Sequence, residues 1–301
     1  MKAWINGELV GWDKANVSLL SHSFGRGSAI FEVFDIVAAE KGSAFFCIEQ
    51  HIDRLFRSAE LVYMDLPLTR EEFIDACIKT ARENDIKRGG TKLFCYYPGL
   101  EFTAYPQNPQ VDVAIFCVDF GALGIRQEAL SAPANVGISS YRKYHPETVP
   151  IHAKICGNYV NPYLALMEMK KKGYDDILTV DVNGYVAEGA TSSAFFVKDG
   201  KLKTAKLDNV LFGITRMALI EVAKDMGIPV EETDIRPDEL QDMDEAFYSV
   251  SLIHIQPMKS IDGNPIGDSC PGPLTEKLIS AMEEVYTGRN RKFEKWLTYI
   301  D

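Results

Sequence analysis

The sequence has no excess of positive charge. Its 32 Lys and Arg residues stand against 43 Asp and Glu, a net of −11, so the basic footprint expected of a partner for nucleic acid or anionic membrane is missing. No stretch approaches the ~18 uncharged residues of a spanning helix. The opening Met1-Lys2-Ala3-Trp4-Ile5-Asn6-Gly7 lacks the apolar core of a secretory leader. The expectation is a cytoplasmic protein with neither membrane nor nucleic acid as partner. Cys47, Cys77, Cys95, Cys117, Cys156 and Cys270 form no C-x-x-C pair, which argues against a zinc cluster or a disulfide framework. His22, His51, His145, His152 and His254 lack helical ligand spacing, so no metal site is expected. A Walker A loop, a G-x-S-x-G elbow and an H-E-x-x-H helix are also absent. Gly25-Arg26-Gly27-Ser28-Ala29-Ile30 begins like a dinucleotide fingerprint, but Ile30 replaces the third glycine and the following residues read as strand.

What is present is a folded chain of 301 residues, 46% hydrophobic and 25% charged, long enough for two domains at roughly 150 residues each. Asn6-Gly7 joins two short apolar runs as a tight hairpin, and Lys41-Gly42 joins Ile30 to Ala38 with Ala44 to Ile48. Ile52, Leu55, Phe56, Ala59 and Val62 repeat at helical spacing between Glu49 and Tyr63. Thr69-Arg70-Glu71-Glu72 opens a second helix as a capping box. Strands are predicted from Thr91 to Tyr97 and from Val111 to Val118. Helices and strands mix here without strict βαβ alternation, which favours an α+β fold. Gly121, Gly124 and Pro133 mark an interdomain linker over 121–133, between a first domain of 1–120 and a second of 134–301. The second domain reads as a helix from Asn158 to Lys172, hairpins about Asn183-Gly184 and Asp199-Gly200, a helix from Ile214 to Met226 closed by Gly227, and a strand from Phe247 to Ser251.

Four features point to one chemistry. Lys154 lies among small and apolar neighbours in Pro150-Ile151-His152-Ala153-Lys154-Ile155-Cys156-Gly157. Desolvation favours a neutral amine there, and a neutral amine forms a Schiff base with an aldehyde. Glu188 stands alone before the small-residue turn Gly189-Ala190-Thr191-Ser192-Ser193, and a carboxylate held against a pyridine nitrogen keeps that ring protonated. Gly213-Ile214-Thr215-Arg216 opens a helix whose first N–H groups suit a phosphate. Arg54, in Gln50-His51-Ile52-Asp53-Arg54-Leu55, can reach inward to the same phosphate. Taken singly, each has a plainer reading as a surface charge or an ordinary helix start. Jointly they describe pyridoxal 5′-phosphate.

The ordered set Asn6-Gly7, Phe31-Glu32, His51-Ile52-Asp53-Arg54-Leu55, Ala153-Lys154, Gly157-Asn158-Tyr159, Asp181-Val182-Asn183-Gly184-Tyr185, Glu188-Gly189 and Gly213-Ile214-Thr215-Arg216 resembles the class IV, or fold-type IV, pyridoxal-phosphate-dependent aminotransferases. The resemblance implies a two-domain α+β enzyme with its site at the domain junction, a barrel-like second domain bearing the Schiff-base lysine, and a homodimer. It implies that Lys154 carries the cofactor and moves the proton at the substrate Cα. Glu188 would meet the pyridine nitrogen and Tyr159 the ring hydroxyl oxygen. Arg54, the N–H groups of Ile214 and Thr215 beside Gly213, and the Ser251 hydroxyl would hold the phosphate, with Thr191 and Ser192 under the ring.

From Trp4 through Gly263 the chain is most similar to the branched-chain amino acid aminotransferases, which implies ping-pong transfer from a hydrophobic amino acid to 2-oxoglutarate. The departures fall where substrate binds. Arg26 stands in place of a tyrosine, Val33 in place of a glycine, Lys92 in place of an arginine, and Leu252-Ile253 in place of small turn residues. Phe31 suits an apolar side chain, while Arg26 or Lys92 supplies charge for a carboxylate. Val33 is more like the D-amino acid and (R)-amine transaminases, the first alternative. A lyase of the aminodeoxychorismate type and a non-catalytic member of the family are the others.

Overall fold

The computed structural model describes residues 1–124 and 131–301. Of the expected linker, residues 125–130 lie outside those described. The chain divides into two compact units, both mixing helix and sheet as the α+β expectation requires. The first comprises Met1–Arg126, His152–Asn158 and Val285–Asp301, and the second Gln127–Ile151 and Tyr159–Glu284.

In the first unit β1 (Lys2–Ile5) and β2 (Glu8–Gly11) form the expected hairpin, with positive φ at both Asn6 (47°) and Gly7 (100°). A short helix, α1 (His22–Arg26), leads into β3 (Ile30–Ala39) and β4 (Gly42–Phe46). Helices α2 (Ile48–Leu61) and α3 (Arg70–Glu83) follow, then β5 (Gly89–Tyr96) and β6 (Asp112–Asp119). The Thr69 capping box forms as predicted, with the Thr69 and Glu72 side chains accepting each other's backbone N–H. A C-terminal strand, Leu297–Tyr299, completes a seven-stranded antiparallel sheet in the order C-terminal strand, β4, β3, β5, β6, β1, β2. Ile48, Ile52, Leu55 and Ala59 of α2 and Phe73, Cys77 and Ala81 of α3 bury against Phe34, Ile36, Leu93, Cys95 and Ile115 on one sheet face. Strand alternation sends Phe31, Val33, Lys92, Phe94 and Phe116 to the other face.

The second unit contains β7 (Ala134–Arg142), α4 (Val160–Lys171), β8 (Asp176–Val180), β9 (Ser193–Lys198), β10 (Lys201–Thr204), α5 (Ile214–Asp225), β11 (Val230–Glu232), β12 (Glu245–Val250), β13 (His254–Ile261) and β14 (Asn264–Pro265). These strands form one eight-stranded mixed sheet in the order β11, β10, β9, β12, β13, β7, β8, with β14 beside β13. A further helix, α6 (Pro273–Tyr286), follows. The core gathers Val136, Leu178, Phe196, Tyr248, Met258 and Ile261. The Asp199-Gly200 hairpin forms as expected, both residues having positive φ.

Two expectations are corrected. Tyr185–Ala187 is no strand arm. The Asp181 carboxylate accepts the N–H groups of Asn183 (2.8 Å) and Tyr185 (2.9 Å), curling the chain locally. Val186 N–H then turns to Ile235 O at 2.8 Å, leaving only an isolated bridge from Val180 to Val186. The division at 121–133 into contiguous domains also differs from the two units, because the lysine segment His152–Asn158 belongs to the first. It runs antiparallel to the chain entering β3. Phe31 N–H donates to Lys154 O (2.9 Å), Cys156 N–H to Ala29 O (2.8 Å) and Gly157 N–H to Gly27 O (2.8 Å). Gly27 and Gly157 permit this approach, since a Cβ built on Gly27 would lie 2.9 Å from Gly157 Cα.

Candidate active site

The first unit presents the lysine. Strand-like pairing fixes the Lys154 backbone on one side, and on the other its N–H donates to Ser58 Oγ of α2 at 3.0 Å. The side chain is half-buried, and its ammonium lies 4.9 Å from the centre of the buried Phe31 ring. Lys92 Nζ approaches the same ring at 5.5 Å and Phe94 at 4.9 Å. The structure therefore brings together three of the predicted residues, Lys154, Phe31 and Lys92, as two amines about an aromatic wall. Lys92 is itself exposed. Arg26 is exposed at the end of α1. Its guanidinium donates to the carbonyls of Phe102 (3.0 Å) and Gly25 (3.2 Å).

Arg54 is buried, and its guanidinium grips Glu32 with two bonds, Nε to Oε1 at 2.8 Å and Nη2 to Oε2 at 2.6 Å. Glu32 has no exposed surface, since it shares the core face of β3 with Ile30, Phe34 and Ile36. Burial by itself raises its pKa, yet the Arg54 charge and the hydrogen bonds from Arg54 and His51 outweigh it and hold the carboxyl at about 2. Burial pushes the His51 pKa down against the opposing pull of Glu32. The ring stays neutral and donates Nδ1–H to Glu32 Oε2 at 2.7 Å. His51, Arg54 and Ser58 share one face of α2. Sequence reasoning singled out Arg54 for a phosphate and gave Glu32, His51 and Ser58 no role. The usable signal was Glu32 itself, a carboxylate on an otherwise apolar strand face, which requires a buried cation.

The second unit presents the carboxylate and the anion cradle. Glu188 is largely buried, its carbonyl accepting from Thr179 N–H (2.9 Å) and Thr179 Oγ1 (2.8 Å). Its carboxylate pairs with Lys143 through Oε1 and receives Leu211 N–H on Oε2 at 3.3 Å. Nothing local in the sequence marked Lys143. Helix α5 starts at Gly213 with no side-chain cap on its first turn, so its leading N–H groups and dipole are available to an anion. Gly213 also lies close under Ser193, where an added Cβ would meet Oγ at 2.8 Å. The Thr215 and Ser251 hydroxyls lie 3.4 Å apart. Ser192 Oγ is buried with no hydrogen-bond partner among the described residues, while Thr191 is exposed. Tyr159 closes the 3-10 turn Cys156–Tyr159 and starts α4. Leu252 sits in the turn from β12 to β13 at φ 73°, an unusual conformation for a branched side chain.

These features fit pyridoxal phosphate. In the first unit an amine stands beside an aromatic wall; in the second a carboxylate retains an oxygen with acceptor capacity and an uncapped helix start carries Thr215, whose hydroxyl neighbours that of Ser251. Donors and acceptors of this kind define a phosphate-bearing, aldehyde-type cofactor enzyme. The comparisons with known proteins give the family. The model of amino-transferase class IV matches residues 30–261, and the chain belongs to that family, as the resemblance of its motifs implied. The branched-chain-amino-acid aminotransferase of Pseudomonas aeruginosa is 32% identical over 297 residues, covering 99% of this chain and 96% of that one. Among solved structures, the branched-chain amino acid aminotransferase of Escherichia coli superposes with a TM-score of 0.95 at 32% identity, covering 100% of this chain and 99% of that one. The branched-chain amino acid aminotransferase of Thermobaculum terrenum, solved in its PLP-bound holo form, gives 0.93 at 28% identity, covering 100% and 98%.

Proposed function

We propose that this chain is a pyridoxal-phosphate-dependent aminotransferase that moves the amino group of a hydrophobic, branched-chain-like amino acid to 2-oxoglutarate. The observation that carries the reading is the likeness, across nearly the whole of both chains, to proteins named branched-chain aminotransferases. When bound, pyridoxal phosphate supplies an aldehyde that takes the substrate nitrogen and a ring that accepts the electrons of Cα. Lys154 holds the cofactor through its amine. Once freed by the substrate amine, the Lys154 amine would take the proton at Cα as base and give it back as acid. Glu188 keeps the proton on the ring nitrogen, and Tyr159 donates to the ring oxygen. Arg54, the Ile214 and Thr215 N–H groups beside Gly213, and the Ser251 hydroxyl would bind the phosphate, and Thr191 and Ser192 would be further contacts to the cofactor. Phe31 receives the apolar side chain. Arg26 or Lys92 supplies the charge for the substrate carboxylate, and the Leu252 turn contacts the substrate. Transfer in two half-reactions gives ping-pong kinetics.

The protein works as a homodimer in a reducing compartment, the cytoplasm. Six cysteines, none of them in a disulfide, support the compartment. The exposed Leu19, Leu20, Phe24, Leu100 and Phe102 of the first unit support the association. Lys154→Ala is expected to lose the visible absorbance of covalently held cofactor and about 10²–10⁴-fold or more of its turnover; wild-type turnover in that variant would end the assignment. Absorbance of the amino form after adding L-leucine, D-alanine or (R)-1-phenylethylamine should favour L-leucine. Conversion by D-alanine or the amine alone would replace the substrate reading.

A further inference from the structure

We infer that Lys143 is a positioning residue for the reaction: it fixes the carboxylate of Glu188 so that one oxygen is kept for the cofactor ring. The inference rests on the proposed role of Glu188. The two side chains are only 15% and 12% exposed, so the ion pair is shielded from bulk water, unlike the surface pairs elsewhere on the chain. Both backbones are fastened to consecutive residues of β8. Lys143 N–H donates to Val180 O at 2.9 Å, and Glu188 O accepts from Thr179 N–H at 2.9 Å. The ammonium thus approaches the carboxylate from a fixed origin.

Lys143 occupies Oε1, whereas among the described residues Oε2 receives only the long bond from Leu211 N–H at 3.3 Å. Each carboxylate oxygen accepts two donors. Oε2 is therefore the oxygen with capacity for a strong further donor, the chemistry of a pyridinium N–H. Without the ammonium, a mostly buried carboxylate would retain one weak donor and rotate to find another. Lys143 holds it against that rotation and acts on the reaction only through Glu188.

The test uses holoenzyme prepared with pyridoxal phosphate, comparing wild type, Lys143→Met, Lys143→Arg, Glu188→Gln and the double variant K143M/E188Q. Measured are the affinity for pyridoxal phosphate by absorbance titration, the visible band of the bound cofactor, and kcat and KM. Lys143→Met is expected to lower affinity by at least ~10-fold and to shift the band in the direction that Glu188→Gln does. The double variant should go little further than Glu188→Gln alone, and Lys143→Arg should restore both readouts. A wild-type band and affinity in Lys143→Met, full additivity in the double variant, or a Lys143→Arg protein that folds by circular dichroism yet behaves like Glu188→Gln would each overturn the inference. Should Lys143→Met not fold, the Lys143→Arg result decides alone. If Glu188→Gln matches wild type, the role of Glu188 fails and this inference with it. An altered Glu188→Gln beside an unaltered Lys143→Met sinks this inference alone.

Discussion

At the scale of single residues, the Glu32–Arg54–His51 cluster shows how a guanidinium, the one proposed to bind phosphate, can be held inside a core. A guanidinium has five donors in a rigid fork, and Glu32 takes two of them while supplying the opposite charge. Removing one partner of such a buried pair costs about 3–5 kcal/mol, so Glu32→Gln should lower unfolding stability by that order and weaken cofactor binding. The pH dependence has a definite sign. The folded Glu32 pKa lies at about 2 against an ordinary value of 4.5, so its contribution is complete above 4.5 and is lost as pH falls towards 2. Urea midpoints of wild type and Glu32→Gln should accordingly differ by a constant amount near neutrality and converge in acid. A gap that widens in acid would contradict the pairing. The Lys154 and Arg54 motifs were readable in the chain because family patterns are local. The Glu32–Arg54 and Lys143–Glu188 contacts were not, since each joins residues far apart in sequence and depends on which face of a strand turns inward.

At the scale of elements, the turns were the most legible. Asn6-Gly7 and Asp199-Gly200 demand left-handed backbone, and Thr69 with Glu72 satisfies its own helix start, so short-range chemistry sufficed. The Asp181-to-Ala187 segment misled because Asn183-Gly184 has the composition of a hairpin while the Asp181 side chain competes for the same N–H groups. The most consequential element-level feature escaped notice altogether: residues 154–157 lie along residues 27–31 with two glycines at the crossing. Gly27 also has a positive φ of 65°. Gly27→Ala therefore meets both backbone strain and a 2.9 Å clash. A loss of about 1–3 kcal/mol, seen as a lower Tm, should come with faster exchange of the Cys156 and Gly157 amides. An unchanged Tm and unchanged exchange would show that the crossing is not tight.

At the scale of the whole molecule, the α+β class was readable from the irregular order of helix and strand, whereas the membership of each unit was not, because contiguity is the natural assumption when only composition marks a boundary. The C-terminal residues illustrate this. Leu297–Tyr299 pairs with β4, Ile300 N–H donates to Ser43 O at 2.9 Å, and Trp296 and Ile300 are each only 3% exposed. Deleting residues 291–301 should uncover the edge of β4 and part of the first core. The truncated protein is expected to melt at lower temperature and to bind a hydrophobic dye. Full thermal stability after truncation would show that the tail is dispensable.

The lysine-bearing unit is written in the chain as three separated passages. A gene fragment ending before residue 152 would encode most of its sheet yet omit both Lys154 and the closing strand. Any shuffling, splitting or circular rearrangement of this coding sequence must carry all three passages together, and recombination breakpoints that spare the unit are correspondingly scarce.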